Sequence, residues 1–331
     1  MNRQIILNSR PVGMPVPENF AIIEAPQQLL QHGDLMIKPK FISVDPYMRG
    51  RMGTGASNLT LFEVGKPLAG AVLAEVINSR HPGFHQGEMI KGNFLWQELQ
   101  VVKAEQATRI ETEVPTLSDH LGILGLTGLT AYFGLLEIGK PVWGETVVVS
   151  GAAGAVGNVV GQLARIKGCR VIGIAGSDDK IDFLKNELCF DEAVNYHQKD
   201  WEQSFASLCP VGVDIYFDNV GGEISDIVLK HINKFARIVI CGQISQYNNT
   251  ILSIGPRIQP LFIGKSALMQ SFTVSNYSGH FGKALEEMTD WLKTGKLVTK
   301  ETIIKGFENL PAAFIGLFQG KNIGKCLVEI L

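Results

Sequence analysis

Apolar and polar positions follow two regimes along this chain. Over the first 120 or so residues they alternate in short runs rich in β-branched residues, Gly and Pro. Leu35-Met36-Ile37-Lys38-Pro39-Lys40 and Ala71-Val72-Leu73-Ala74-Glu75-Val76 are examples. Such runs predict strands, and their mixed spacing predicts a partly antiparallel β domain. From Ser118 to Glu137 the period changes: Leu121, Leu124, Leu129, Tyr132, Phe133 and Leu136 recur as on one helix, which opens a second domain.

Beyond it, strands and helices alternate. Strands are expected at Val147–Ser150, Arg170–Ala175, Ala193–Asn195, Val213–Asp218, Arg237–Cys241 and Leu268–Val274. Helices are expected at Val156–Lys167, Asp178–Glu187, Gly222–Lys230 and Phe281–Lys293. This order makes an α/β fold with a doubly wound parallel sheet and right-handed crossovers. The tail Thr302–Leu331 returns to short strands with Gly-Lys turns and is expected to pack back on the first domain.

The richest stretch is Val147-Val148-Val149-Ser150-Gly151-Ala152-Ala153-Gly154-Ala155-Val156-Gly157. A β-branched run enters a glycine turn and leaves through a helix of small residues. Glycines let backbone N–H groups approach a pyrophosphate, and the helix N-terminus adds partial positive charge. The spacing is GxxGxxG, and a tight strand–helix turn with no ligand would share it. The βαβ unit that follows favours a dinucleotide. An NAD-type unit carries an acid about 20 residues further on, for the ribose 2′-hydroxyl. Here Gly176 and Ser177 stand at that point and Lys180 follows, leaving room and a cation for a 2′-phosphate. The pattern favours NADP(H), although Lys180 also reads as a solvated helix lysine. Asp178 and Asp179 keep NAD open or simply cap the next helix. Ligands of open parallel sheets lie beyond the carboxyl strand ends. Asn219 and Cys241-Gly242-Gln243, which end the fourth and fifth strands, are therefore cofactor-facing candidates, or plain turns.

Composition narrows the function. A length of 331 residues allows two domains, and 45% apolar against 19% charged residues allows a sizeable core. Lys and Arg total 30 against 32 Asp and Glu, so no strong field recruits nucleic acid or an anionic membrane. Met1–Leu7 lacks a secretory pattern. Thr146–Ala164 carries no charge, but its Gly, Asn and Gln residues make it a buried strand–turn–helix rather than a span. The sequons at Asn58, Asn248 and Asn276 mean little without secretion, and a cytoplasmic protein is expected. Five cysteines with no CxxC predict free thiols. His81 and His85 have helical metal-pair spacing, but Pro82 and Gly83 break any helix there. Residues 1 to 168 hold no cysteine, so no zinc is expected. GxSxG, HExxH and a Walker lysine are absent, which leaves hydrolysis without support.

Several ordered stretches resemble the zinc-independent branch of the medium-chain dehydrogenase/reductases, most closely the leukotriene/prostaglandin and alkenal double-bond reductases. They are Ser43–Met52, Ser150–Gly157, Phe217–Gly222, Cys241–Asn248, Gly306–Phe314 and Gly320–Lys325. Where zinc-binding relatives carry ligands, this chain has Gly65-Lys66-Pro67-Leu68-Ala69-Gly70. The resemblance implies a GroES-like catalytic domain over residues 1–121, a Rossmann NADP-binding domain over 122–299 and a C-terminal return over 300–331. It implies NADPH as hydride donor and an α,β-unsaturated aldehyde or ketone as acceptor. By motif, Lys180, Gly176 and Tyr196 would hold the 2′-phosphate end, and Asn219 and Asn322 would line the cofactor site. Tyr47 and Tyr247 would face the enone, with Tyr247 the first candidate to donate a hydrogen bond to its oxygen. Tyr247 also reads as a loop aromatic, and Tyr47 as packing beside Pro46. The family further implies a homodimer through edge strands near Leu268–Val274. A quinone oxidoreductase on the same fold and an NADPH-binding protein without turnover are the competing readings. Loops Gly53–Leu61 and Tyr247–Gln259 would set the pocket width.

Overall fold

The computed structural model describes residues 2–26, 28–54, 60–111 and 114–331. Most of the Gly53–Leu61 loop, and Asn58 of its sequon, lie outside them. The chain divides into two compact units. One comprises Met1–Leu121, Glu301–Asn322 and Cys326–Leu331; the other comprises Gly122–Lys300 and Ile323–Lys325.

In the first unit, β1 (Arg3–Leu7) pairs antiparallel with β2 (Phe20–Glu24). The larger sheet is built from β3 (Asp34–Ser43), β4 (Ala69–Ser79), β5 (Met89–Leu95), β6 (Gln100–Lys103) and β7 (Thr108–Arg109). A single turn, α1 (Met48–Arg51), follows β3. The strand predicted at Leu35–Lys40 runs on to Ser43 because the ladder with β4 slips between Pro39 and Phe41. A proline donates no ladder bond, and a register shift absorbs it. Ile5, Leu35, Ile37, Ile42, Val72, Val76 and Trp96 are wholly buried in this unit's core.

Ser118–Glu137 is not one helix. A 3₁₀ turn (Leu117–His120) precedes α2 (Leu126–Phe133), which widens into a π-type turn over Gly134–Gly139. The break falls at Gly122 and Gly125, and the border between the units lies at Leu121 and Gly122. The Gly122 carbonyl accepts the Thr127 hydroxyl at 3.0 Å. The Ile123 carbonyl lies 1.7 Å from where a side chain on Gly128 would begin, so the chain doubles back at a point only glycine fits.

The second unit alternates strand and helix. It runs β8 (Thr146–Ser150), α3 (Gly157–Ile166), β9 (Arg170–Ala175), α4 (Asp178–Asp182), β10 (Glu192–Asn195) and α5 (Trp201–Leu208). Then follow β11 (Val213–Asp218), α6 (Gly222–Leu229), β12 (Ile232–Ile240), α7 (Gln259–Lys265), β13 (Leu268–Ser271) and α8 (Phe281–Lys293). Among the described residues these strands form a six-stranded parallel sheet in the order β10-β9-β8-β11-β12-β13. The chain moves outward from β8 to β10, then restarts at β11 on the other side. Right-handed crossovers therefore place the helices of the two halves on opposite faces. The order reverses between β8 and β11. β12 begins five residues before the predicted Arg237, because Ile232 pairs with Val213 and Arg237 with Ile215. The residues between them bulge, with Phe235 at φ 65°.

The tail holds β14 (Glu301–Lys305), α9 (Leu310–Phe318) and β15 (Lys325–Glu329). The expectation of strands alone is corrected by α9. Its Leu310, Ala313, Phe314 and Leu317 are buried at helical spacing, and Pro311 presets the first turn. β15 pairs antiparallel with β3, Leu327 opposite Ser43, which adds the tail to the first unit's sheet.

Candidate functional site

The reversal between β8 and β11 opens a crevice beyond their carboxyl ends, where an open parallel sheet takes its ligand. Ser150 and Gly151 leave β8 there, and Asp218 and Asn219 leave β11. Gly151 adopts φ 60°, which suits glycine. A side chain on Gly157 would begin 2.4 Å from the Gly151 carbonyl, so the loop closes on itself only because Gly157 has none. Ala152 and Ala153 are buried and face inward. The Ala152 N–H is already given to Ile174 O at 3.0 Å, and the Gly154 N–H to Gly151 O at 2.9 Å. Gly154, Ala155 and Val156 remain partly exposed. They lead into α3, and the first N–H groups of a helix have no acceptor within it. Free N–H groups at a helix N-terminus are what an anion takes, so the loop fits a dinucleotide pyrophosphate. One element went unforeseen: Gly324 of the tail donates its N–H to Ala153 O at 2.7 Å and bridges Gly154. Its φ of +69°, with Lys300 O at 2.0 Å from a would-be Cβ, explains a glycine there.

At the ends of β9 and β10 the structure brings Gly176 and Tyr196 together. A Cβ on Gly176 would fall 2.7 Å from the Tyr196 hydroxyl. Ser177 is the N-cap residue of α4, and Lys180 lies one turn on, half-buried. Burial lowers the Lys180 pKa, since an ammonium loses hydration there. Asp178 is committed elsewhere: one of its oxygens accepts Asn195 Nδ2 at 2.7 Å and Gln198 Nε2 at 3.2 Å. Tyr196 also lines a cleft of about 280 Å³ with Trp201, Glu223 and Ile224. Nothing in the local pattern of Trp201 marked it out.

Asn219 donates Nδ2 to Ser150 O at 2.8 Å and its backbone N–H to Ser150 Oγ at 3.0 Å. One Nδ2 hydrogen is thereby engaged, which leaves the second and the side-chain oxygen for a ligand. Cys241 follows β12, and burial pushes its thiol up to about 12, with Asp218 adding to the rise. Tyr247 follows a 3₁₀ turn (Ile244–Gln246). Its hydroxyl accepts the Gln243 N–H at 3.4 Å and would stand 3.2 Å from a Cβ on Gly242. That same Cβ would lie 3.4 Å from Asn219 O, so Tyr247, Gly242 and Asn219 share one corner of the crevice. Burial raises the Tyr247 pKa; the Gln243 N–H pulls it down and Cys241 adds a smaller rise.

Tyr47 and Asn322 belong to the first unit. Tyr47 begins the α1 turn and packs on that unit's core. Burial, with Asp45 assisting, drives its hydroxyl up to about 12, against a hydrogen bond from Arg51. Asp45 is buried and accepts the Ser43 hydroxyl. Among the described residues no group of three or more His, Cys, Asp or Glu could hold a metal ion. No described helix is long and apolar enough to cross a membrane.

A family profile described as the N-terminal domain of oxidoreductase matches residues 3–110, and one described as zinc-binding dehydrogenase matches residues 155–293. The chain is 51% identical to a putative NADP-dependent oxidoreductase, YfmJ, of Bacillus subtilis, over 99% of this chain and 97% of that protein. It is 40% identical to the 2-alkenal reductase (NADP(+)-dependent) of Nicotiana tabacum, over the same 99% and 97%. The crystal structure of CurA from Vibrio vulnificus in complex with NADPH superimposes with a TM-score of 0.94 at 39% identity, covering 99% of each chain.

Proposed function

The chain belongs to the medium-chain dehydrogenase/reductase family, in the branch of the prostaglandin and alkenal reductases, and on that premise we propose that it reduces the C=C bond of α,β-unsaturated aldehydes and ketones. It is an NADP-dependent oxidoreductase. When bound, NADPH supplies a hydride for the electrophilic β-carbon of an enone.

The protein's part is to bind, orient and protonate. Ala155, Val156 and the start of α3 hold the pyrophosphate through backbone N–H groups. Gly176, Ser177, Lys180 and Tyr196 receive the 2′-phosphate, with Lys180 as the cation. Asn219 and the Cys241 turn border the nicotinamide half, and Asn322 is a further cofactor contact. As negative charge grows on the carbonyl oxygen, Tyr247 donates a hydrogen bond to it. The α-carbon then takes its proton from Tyr247 or from water. Tyr47 is proposed as a second hydroxyl facing the substrate.

The observation that best supports this reading is the half-buried Tyr247 hydroxyl, which shares a corner with Asn219 beyond the strand ends that carry the phosphate loop. We further propose a homodimer through β13, an edge strand of the parallel sheet.

The test is loss of NADPH absorbance with a medium-chain 2-alkenal, with NADH and a quinone in parallel. Rapid oxidation with the alkenal, slow oxidation with NADH and a saturated carbonyl product are expected. Turnover with the quinone alone would replace this reading with a quinone oxidoreductase. NADPH binding without turnover of either acceptor would replace it with a non-catalytic protein.

A further inference from the structure

We propose that Asp218 is a positioning residue for the cofactor site: its carboxylate locks the end of β8 to the turn after β11 and so sets how Asn219 and the phosphate loop meet a dinucleotide. The inference rests on the dinucleotide reading above.

Asp218 is 2% exposed. One of its oxygens, Oδ1, accepts four hydrogen bonds. They come from Ser150 Oγ at 2.9 Å, Tyr216 Oη at 2.9 Å, Val220 N at 3.0 Å and Gly221 N at 2.9 Å. Its backbone carbonyl accepts the N–H groups of Cys241 at 2.9 Å and Gly242 at 3.1 Å. The ends of β8, β11 and β12 thus converge on one residue. All these donors are neutral hydroxyls and backbone amides. A buried carboxylate held only by neutral donors depends on every one of them, and each donor's direction is fixed in return.

The consequence runs through Ser150. A hydroxyl has one proton, and Ser150 gives it to Asp218, so toward Asn219 it can only accept. It accepts the Asn219 backbone N–H, while Asn219 Nδ2 goes to Ser150 O. The Asn219 backbone and its side-chain nitrogen are thereby both anchored to the end of β8. Ser150 also precedes Gly151, whose φ of 60° starts the phosphate loop. A negative charge beneath a loop that binds phosphates repels the ligand, so attraction is not what Asp218 offers. What it offers is direction.

Asp218→Asn keeps one carbonyl oxygen for the same donors but removes the charge that strengthens those bonds. Ser150→Ala deletes the link itself. Each is expected to raise the NADPH Kd and the KM for NADPH about 10-fold, while kcat at saturating NADPH stays within about 2-fold. The double variant is expected to bind less than additively worse, since both changes cut one chain of bonds. NADPH binding is read by quenching of tryptophan fluorescence, and folding by circular dichroism and urea midpoints.

An NADPH affinity unchanged from the parent in both single variants overturns the proposal, as do additive effects or a fall in kcat with unchanged Kd. If Asp218→Asn does not fold, Ser150→Ala decides alone: a raised KM supports the role and an unchanged one overturns it. Failure of the unaltered protein to bind NADPH is a different result, which removes the cofactor reading itself.

Discussion

Tyr247 keeps its proton because burial opposes the phenolate. A tyrosine raised above its ordinary value near 10 stays a neutral donor to higher pH. The alkaline fall of kcat/KM is therefore expected above that range, and Tyr247→Phe should lack that limb and lose about 100-fold in kcat/KM. A Phe variant with unchanged kcat/KM removes the donor role. Lys180 holds its ammonium where burial disfavours it, a cost that the proposed 2′-phosphate would offset. Lys180→Ala should raise the KM for NADPH about 10-fold and leave that for NADH within about 2-fold, because only the first carries a 2′-phosphate. The thiols divide by burial. Cys169 and Cys209 are pushed up to about 11 and Cys241 to about 12, Cys326 is buried, and Cys189 is exposed. Thiolate is the reactive form, so alkylation at pH near 8 should label Cys189 first and the others only on unfolding; mass spectrometry of the labelled protein reads the order.

At the scale of elements, close approach explains why particular glycines sit where they do. α3 meets the Phe190 ring through Gly161, where a Cβ would fall 1.8 Å from Cζ. The ring is buried and cannot swing out, so Gly161→Ala should cost about 1–3 kcal/mol in urea unfolding even though alanine favours helix. A variant at least as stable as the parent would mean that α3 can shift away from the ring. The same rule of contact over propensity split the expected helix of Ser118–Glu137. Six apolar residues set its period, but Gly122, Gly125 and the fit of Gly128 on the Ile123 carbonyl broke it. In the tail, α9 went unread because Gly-Lys pairs mask a short amphipathic run that Pro311 starts.

At the scale of the whole molecule, β13 leaves one edge of the parallel sheet without a partner strand among the described residues, and Leu268 on it is half exposed. An apolar open edge favours pairing with a second copy. Leu268→Lys should convert the proposed dimer to monomers in analytical ultracentrifugation; a parent protein that sediments as a monomer at all concentrations would refute the dimer.

The alternating strands and helices and the glycine turn between β8 and α3 were legible from residue order, because each depends on neighbours in the chain: period, turn chemistry and glycine spacing. Val213–Asp218 and Phe281–Lys293 even match the expected limits. Three features depended on segments far apart in sequence. Gly324 reaches the phosphate loop from the tail. Asp218 gathers donors from β8 and β11 on one oxygen, and Tyr247 meets Asn219 across Gly242. Local pattern records what a segment prefers, whereas hydrogen-bond direction and close packing exist only once distant strand ends converge. The sheet and the strand ends that carry the proposed site were therefore written in the order of residues, and the orientation of the groups at those ends was left to tertiary contact.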